Sequence, residues 1–242
     1  IEHLPLDQRV EAMSQPNIRA KILSEDPVKQ STFPLIHRIL FTQMFRLGSP
    51  ANYTPSPEES ISAMAQNSGV TPKEMAYDIL LEDQGRGFIY APLVNYANYT
   101  MDACAEMLDD PYSIMGLGDG GAHVGFILDA GYPTWLISYW NQKQKRYSVE
   151  ETVRRLTSDT AKAVGLFDRG RIAVGLKADF NVIDWSSVRA GDPYLISDLP
   201  AGGSRLMQEV FGYKATILSG EVTYRDGVAT GATPGKLVRS HA

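Results

Sequence analysis

An α/β chain that passes into a small β-rich region is what the sequence predicts, on three observations. Strand-like runs alternate with well-marked helices from Arg38 to Gly118, the pattern of parallel α/β architecture. At Gly170 the composition changes, and glycine and β-formers dominate from "GRIAVGLKADFNVIDW" onward. A length of 242 residues, 43% of them hydrophobic and 21% charged, is ordinary globular composition and enough for a sizeable core.

The elements follow in order. Leu6, Val10 and Met13 share one helical face and Ile18 and Ile22 another, with Pro5 and Pro16 near the starts, so the first thirty residues read as two short helices. "RILFTQMF", Arg38 to Phe45, reads as a strand closed by Gly48-Ser49-Pro50. Ser56-Pro57-Glu58-Glu59 and Thr71-Pro72-Lys73-Glu74 each place a hydroxyl cap, a proline at the first helical position and a glutamate three residues after the cap. The first helix should end near Gly69 and the second near Glu82. A strand over Gly87 to Tyr96, a helix around Met101 to Leu108 and a strand over Ser113 to Gly118 come next. "YPTWLISYW" is too aromatic to be exposed. Ser148-Val149-Glu150-Glu151 opens another helix, and a second short one should stop at Gly165. In the last seventy residues "KATILSGEVTYRDG" holds two strand runs joined at Ser219-Gly220, and "SDLPAGGSR" is a loop between strands. Repeats and low-complexity segments are absent.

The stretch with most chemical content is "YSIMGLGDGGAHVG", Tyr112 to Gly125. It matches G-x-G-x-x-G at Gly116, Gly118 and Gly121, yet a dinucleotide fold needs a helix after the glycines and an acid roughly 20 residues on. Only the preceding strand is present, and Trp135 to Gln144 contains no acid. A tight turn with Asp119 as a turn residue is a second reading. In the third, Asp119 sits at the C-terminal end of a parallel strand, where barrel enzymes keep catalytic groups, with glycines that let a metal or substrate approach the backbone.

"GLGDGGAHVG", followed by "TVRRLTSDTAKAVGL", "RGRIAVGLKADFNVID" and "ATILSGEVTYRDG", resembles the C-terminal half of the amidohydrolase superfamily, in the branch of N-acyl-D-amino-acid deacylases. The resemblance runs from about Arg38 to Arg239, and the order of its segments is more specific than any one motif. It implies the C-terminal part of a (β/α)8 metal-dependent hydrolase barrel followed by a small β-sandwich segment. The barrel part is residues 1–169; the sandwich segment and tail are residues 170–242. It implies further that zinc is the cofactor, that Asp119 is both a metal-site group and the proton shuttle, and that the substrate is a small-molecule amide. Zinc brings a bound water's pKa to roughly 7, and a nearby carboxylate can move its proton to the leaving nitrogen.

The family's histidines are missing from the pattern. The four present, His3, His37, His123 and His241, form no H-x-H, and only His123 lies near Asp119. His123 is a candidate for substrate contact or for support of Asp119. Asn95 and Tyr96 end the strand before the one bearing Asp119, as substrate contacts or as a hydrogen-bonded loop entry. Arg205 either reaches a neighbouring subunit or is solvated, and Cys104 is expected in a helix core. About three barrel strands are recognisable where eight are needed, and the chain opens at Ile1 without methionine. We therefore expect a longer enzyme whose upstream part supplies most zinc ligands, this chain alone being inactive. Its expected partners are that N-terminal half or further copies of the chain. A reading from another class is a non-catalytic α/β domain that binds a partner chain.

A net charge of -5 leaves a nucleic-acid backbone nothing to grip. One cysteine cannot form an internal disulfide, and no apolar run approaches the roughly 18 residues of a membrane span. The two N-x-T sequons at Asn52 and Asn98 are discounted without a visible signal peptide, and a cytoplasmic protein is the expectation.

Overall fold

A computed structural model describes residues 1, 3–25, 40–92, 94–96, 98–116 and 121–238. The chain divides into two compact units, Ile1–Glu106 and Met107–Ala242.

In the first unit the helix starts obey their capping chemistry. Helix α1 (Leu6–Met13) begins after Pro5, and α2 (Pro16–Ser24) carries Pro16 in its first turn, where a missing N–H costs nothing. The Ser56 capping box forms, but it closes a single 3₁₀ turn over Pro57–Glu59. The α-helix proper, α3 (Ile61–Ser68), starts one turn later, with the Ser60 hydroxyl accepting from the Ala63 N–H at 3.2 Å, and ends at Gly69. Helix α4 (Pro72–Gly85) has the reciprocal Thr71–Glu74 box. The Thr71 N–H and the Thr71 hydroxyl both donate to Glu74 Oε2 at 2.7 Å, and they hold the Glu74 carboxyl below the usual carboxylate range. Tyr77 and Ile79 are buried on α4. The Tyr77 hydroxyl donates to the Met13 carbonyl at 2.8 Å, and Arg19 lies 4.9 Å from its ring centroid while paired with Asp78.

Strands β1 (Phe45–Leu47) and β2 (Phe88–Tyr90) are much shorter than the runs Arg38 to Phe45 and Gly87 to Tyr96 suggest. Residues Phe41–Gln43 form a 3₁₀ turn, and residues 38 and 39 lie outside the described residues. The two strands pair antiparallel, Phe45 opposite Tyr90 and Leu47 opposite Phe88, where alternation with helices led us to expect parallel neighbours. The cause is local. Glu82 leaves helical geometry, and Asp83, Gln84 and Gly85 adopt φ of 46, 57 and 82°, three left-handed residues that turn the chain sharply before β2. Gly87 then passes so close to α4 that a Cβ there would sit 1.8 Å from the Ile79 carbonyl oxygen.

Helix α5 (Asp102–Asp109) spans the boundary between the units. Residues 113–116, expected to be strand, have no regular structure, and 117–118 lie outside the described residues. The aromatic run "YPTWLISYW" is buried as expected: α6 (Tyr132–Trp135) continues into a π-helix over Leu136–Lys143, with Leu136, Ile137, Tyr139 and Trp140 in the core. Trp135 and Tyr139 stack at 4.5 Å with planes 8° apart. Helix α7 (Val149–Leu156) is capped by Ser148, whose hydroxyl accepts from the Glu151 N–H at 3.1 Å. The Glu151 carboxylate pairs with Arg155 at 2.9 Å. Helix α8 (Ser158–Ala163) ends just before Gly165.

From Phe180 the chain is antiparallel β. Strands β3 (Phe180–Ile183), β6 (Tyr213–Leu218), β7 (Glu221–Arg225) and β8 (Val228–Ala229) form one sheet in the order β3-β6-β7-β8, and β4 (Arg189–Ile196) pairs with β5 (Arg205–Phe211) in a second. Ser219 and Gly220, with φ of 52 and 83°, supply the two left-handed residues a tight β6–β7 hairpin requires. Trp185 joins this region to the π-helix: its indole N–H donates to Asn141 Oδ1 at 3.0 Å, while Asn141 Nδ2 donates to the Tyr147 carbonyl at 2.8 Å. Every strand pairing among the described residues is antiparallel. Among them, too, no helix is long and apolar enough to cross a membrane.

Two substitutions test these contacts. Gly87→Ala forces backbone against backbone and is expected to destabilise the chain by about 1–3 kcal/mol, read from its urea midpoint. Asn141→Ala leaves a buried carbonyl without its donor and should cost about 1–3 kcal/mol in the same measurement.

Candidate functional site

Asp119, the residue with most weight in the sequence, lies in the segment 117–120 outside the described residues, as do His37 and His241. What can be built is the chain on its C-terminal side. Gly121 has φ 92°, and two residues later His123 holds φ 47°, a left-handed conformation that side-chain-bearing residues adopt at a cost. The His123 carbonyl accepts from the N–H groups of Phe126 at 2.9 Å and Ile127 at 3.0 Å, closing a compact turn. The turn brings the two exposed rings together: the imidazole of His123 and the ring of Phe126 have centroids 5.1 Å apart, inclined by 34°.

This loop is fastened to the β-rich region of its own unit. The Val124 carbonyl accepts from the Leu206 N–H at 2.7 Å, at the start of β5. Thr134, in α6, shares a 2.9 Å hydrogen bond with the Tyr213 hydroxyl. Arg205, beside Leu206, grips Asp198 through two bonds, Nε to Oδ1 at 2.8 Å and Nη2 to Oδ2 at 2.6 Å. That guanidinium holds the Asp198 carboxyl below the usual carboxylate range and ties the two ends of the β4–β5 connection. Arg205, read as solvated or as reaching a neighbour, spends its guanidinium on this intrachain pair while its side chain stays 36% exposed.

Asn95 and Tyr96 belong to the first unit. Asn95 is exposed, and its carbonyl accepts the Cys104 thiol at 3.5 Å. Tyr96 is only 4% exposed, and its hydroxyl donates to the Pro55 carbonyl at 2.9 Å. Its ring meets Tyr99 edge-on at 6.5 Å, and Tyr99 in turn meets Phe45 edge-on at 6.3 Å. Tyr96 is thus the buried anchor of a loop on which Asn95, like Val94, is exposed. Cys104, half-buried on α5, has its thiol pushed up by burial.

Among the described residues no group of three or more His, Cys, Asp or Glu side chains is gathered as a metal site would gather them. They do not by themselves fit a resident zinc ion, which takes three or four such donors.

The sequence model of the amidohydrolase family matches residues 38–224, more than three-quarters of the chain and the whole of the glycine stretch with Asp119. The chain belongs to the amidohydrolase family. No curated protein matches it. Among solved structures, this amidohydrolase chain is similar to a D-aminoacylase mutant in complex with CuCl2, at 20% identity and a TM-score of 0.41, over 80% of this chain and 37% of that one. It is similar also to a D-aminoacylase described as defining a novel subset of amidohydrolases, at 19% identity and a TM-score of 0.42, over 78% of this chain and 36% of that one. A third D-aminoacylase, studied for one-metal activation and second-metal attenuation at its binuclear metal centre, matches at 19% identity and a TM-score of 0.40, over 78% of this chain and 36% of that one. The chain therefore spans little more than a third of the length of the solved chains it matches.

The sequence pointed to His123, Asn95 and Tyr96 individually. It gave no sign of Phe126 or of the Val124–Leu206 bond, because residues about eighty positions apart leave no periodic trace when a single backbone bond joins them.

Tyr96→Phe removes the donor to the buried Pro55 carbonyl and is expected to lower stability by about 1–3 kcal/mol, measured by chemical denaturation.

Proposed function

We propose that this chain is the C-terminal portion of a zinc-dependent amidohydrolase that hydrolyses the amide C–N bond of N-acyl-D-amino acids. The observation that carries the reading is the family match over residues 38–224. It spans the segment in which one acid, Asp119, follows an apolar run and is flanked by glycines. The substrate class is the one named for the D-aminoacylases, and zinc is proposed with most of its ligands outside this chain and Asp119 as one of them. Residues 1–169 are proposed as the barrel part and 170–242 as the β-sandwich segment.

The steps assigned to this chain are proton steps and substrate contact. Asp119 accepts a proton from the attacking water as the water oxygen bonds to the amide carbon. It then delivers that proton to the nitrogen as the C–N bond breaks, releasing a carboxylic acid and an amine. Glycines on either side of Asp119 leave room for the substrate to approach the backbone. His123, four residues on and exposed, contacts the substrate, as does Asn95. Tyr96 contributes by holding the Asn95 loop.

In the full-length enzyme acting on an N-acetyl-D-amino acid, Asp119→Asn is expected to lower kcat by roughly 10²–10⁴-fold while leaving the thermal transition in place. Unchanged turnover in a folded Asp119→Asn variant would overturn the assignment and favour a domain that only binds a partner chain.

A further inference from the structure

We propose that Phe126 is a positioning residue for His123, fixing the plane of the imidazole. The inference rests on the reading of His123 as a substrate contact and adds what holds it. An exposed imidazole on a loop has two free torsions, and it orients a substrate only if something restricts both.

Three features of the loop supply that restriction. The left-handed backbone at His123, φ 47°, sets the direction in which its side chain leaves the chain. The two hydrogen bonds into the His123 carbonyl, from Phe126 at 2.9 Å and Ile127 at 3.0 Å, bring residue 126 back over residue 123. The Phe126 ring then lies 5.1 Å from the imidazole at 34°, within the range in which aromatic rings attract. The turn is tied to β5 by the bond from Leu206 to the Val124 carbonyl, and further along the chain Gly131 lies beside the Gln208 side chain, whose amide donates to the Gly191 carbonyl at 2.8 Å. The Phe126 ring remains 51% exposed, and one of its contacts is the imidazole.

The test uses the full-length enzyme with the variants Phe126→Ala, Phe126→Tyr and His123→Gln. Phe126→Ala is expected to raise KM by roughly 2- to 12-fold, the ratio an aromatic pair is worth, with kcat within twofold of the parent. It should also shift the imidazole C–H proton resonance that disappears in His123→Gln, because the ring current of residue 126 is lost. Phe126→Tyr, which keeps the ring, should restore both. An unshifted His123 resonance in Phe126→Ala overturns the proposal, as does an unaltered KM. An unaltered KM in His123→Gln overturns it too, and leaves the role of Asp119 to be judged separately on kcat.

Discussion

The second unit depends on one buried amide. Asn141 is 8% exposed, and it donates to the Tyr147 carbonyl while accepting from the Trp185 indole. A side chain with a donor at one end and an acceptor at the other can satisfy both neighbours only in a single orientation. That fixes the π-helix against the start of the β-rich region and against the entry to α7. Gln142 adds a bond to the Trp185 carbonyl. Tyr147 carries the constraint onward: its hydroxyl donates to Asp109 at 2.8 Å, and Arg155 lies 4.2 Å from its ring centroid while donating to the Leu108 carbonyl at 2.5 Å. Arg146 and then Tyr147 hold the Asp109 carboxyl below its ordinary range, and burial, with the bond to Asp109, pushes the Tyr147 hydroxyl up. β4 begins shortly after Trp185 and pairs with β5, whose Leu206 holds the loop carrying His123, so the same chain path links the amide to that loop.

The first unit solves a similar problem with tyrosines. Tyr77 and Tyr96 are both buried, and each donates its hydroxyl to a backbone carbonyl, that of Met13 at the end of α1 and that of Pro55 in the turn before α3. Each ring fills the core while its polar tip satisfies a backbone acceptor. The exposed position of Asn95 follows from the burial of its neighbour.

Helix boundaries were legible in the sequence where capping chemistry is local. Thr71 with Glu74, Ser148 and Gly69 each mark their helix end to within a residue, since both partners of the cap lie within four positions, and Pro16 marks its helix start by fitting the first turn. The Ser56 box was read correctly as chemistry and wrongly as extent, because Ser60 supplies a second cap and the α-helix begins there. Strand direction was not legible. Nothing in "LEDQGRGFIY" announces that Asp83 and Gln84 are left-handed, and those two residues decide that β2 runs against β1. Of the candidate site, the sequence marked the acid and the histidine through their glycine setting. The aromatic contact with Phe126 depends on a turn fixed from β5, and was beyond its reach.

The single thiol, Cys104, has a further use. It donates to the carbonyl of Asn95, on the loop that Tyr96 anchors, and burial keeps it protonated. A thiol reacts with alkylating and oxidising agents as its thiolate. Modification of this thiol by such agents is therefore expected to be slow in the folded chain. With one cysteine in the sequence, a thiol reagent reports on the packing around α5 alone, with no label introduced by mutation.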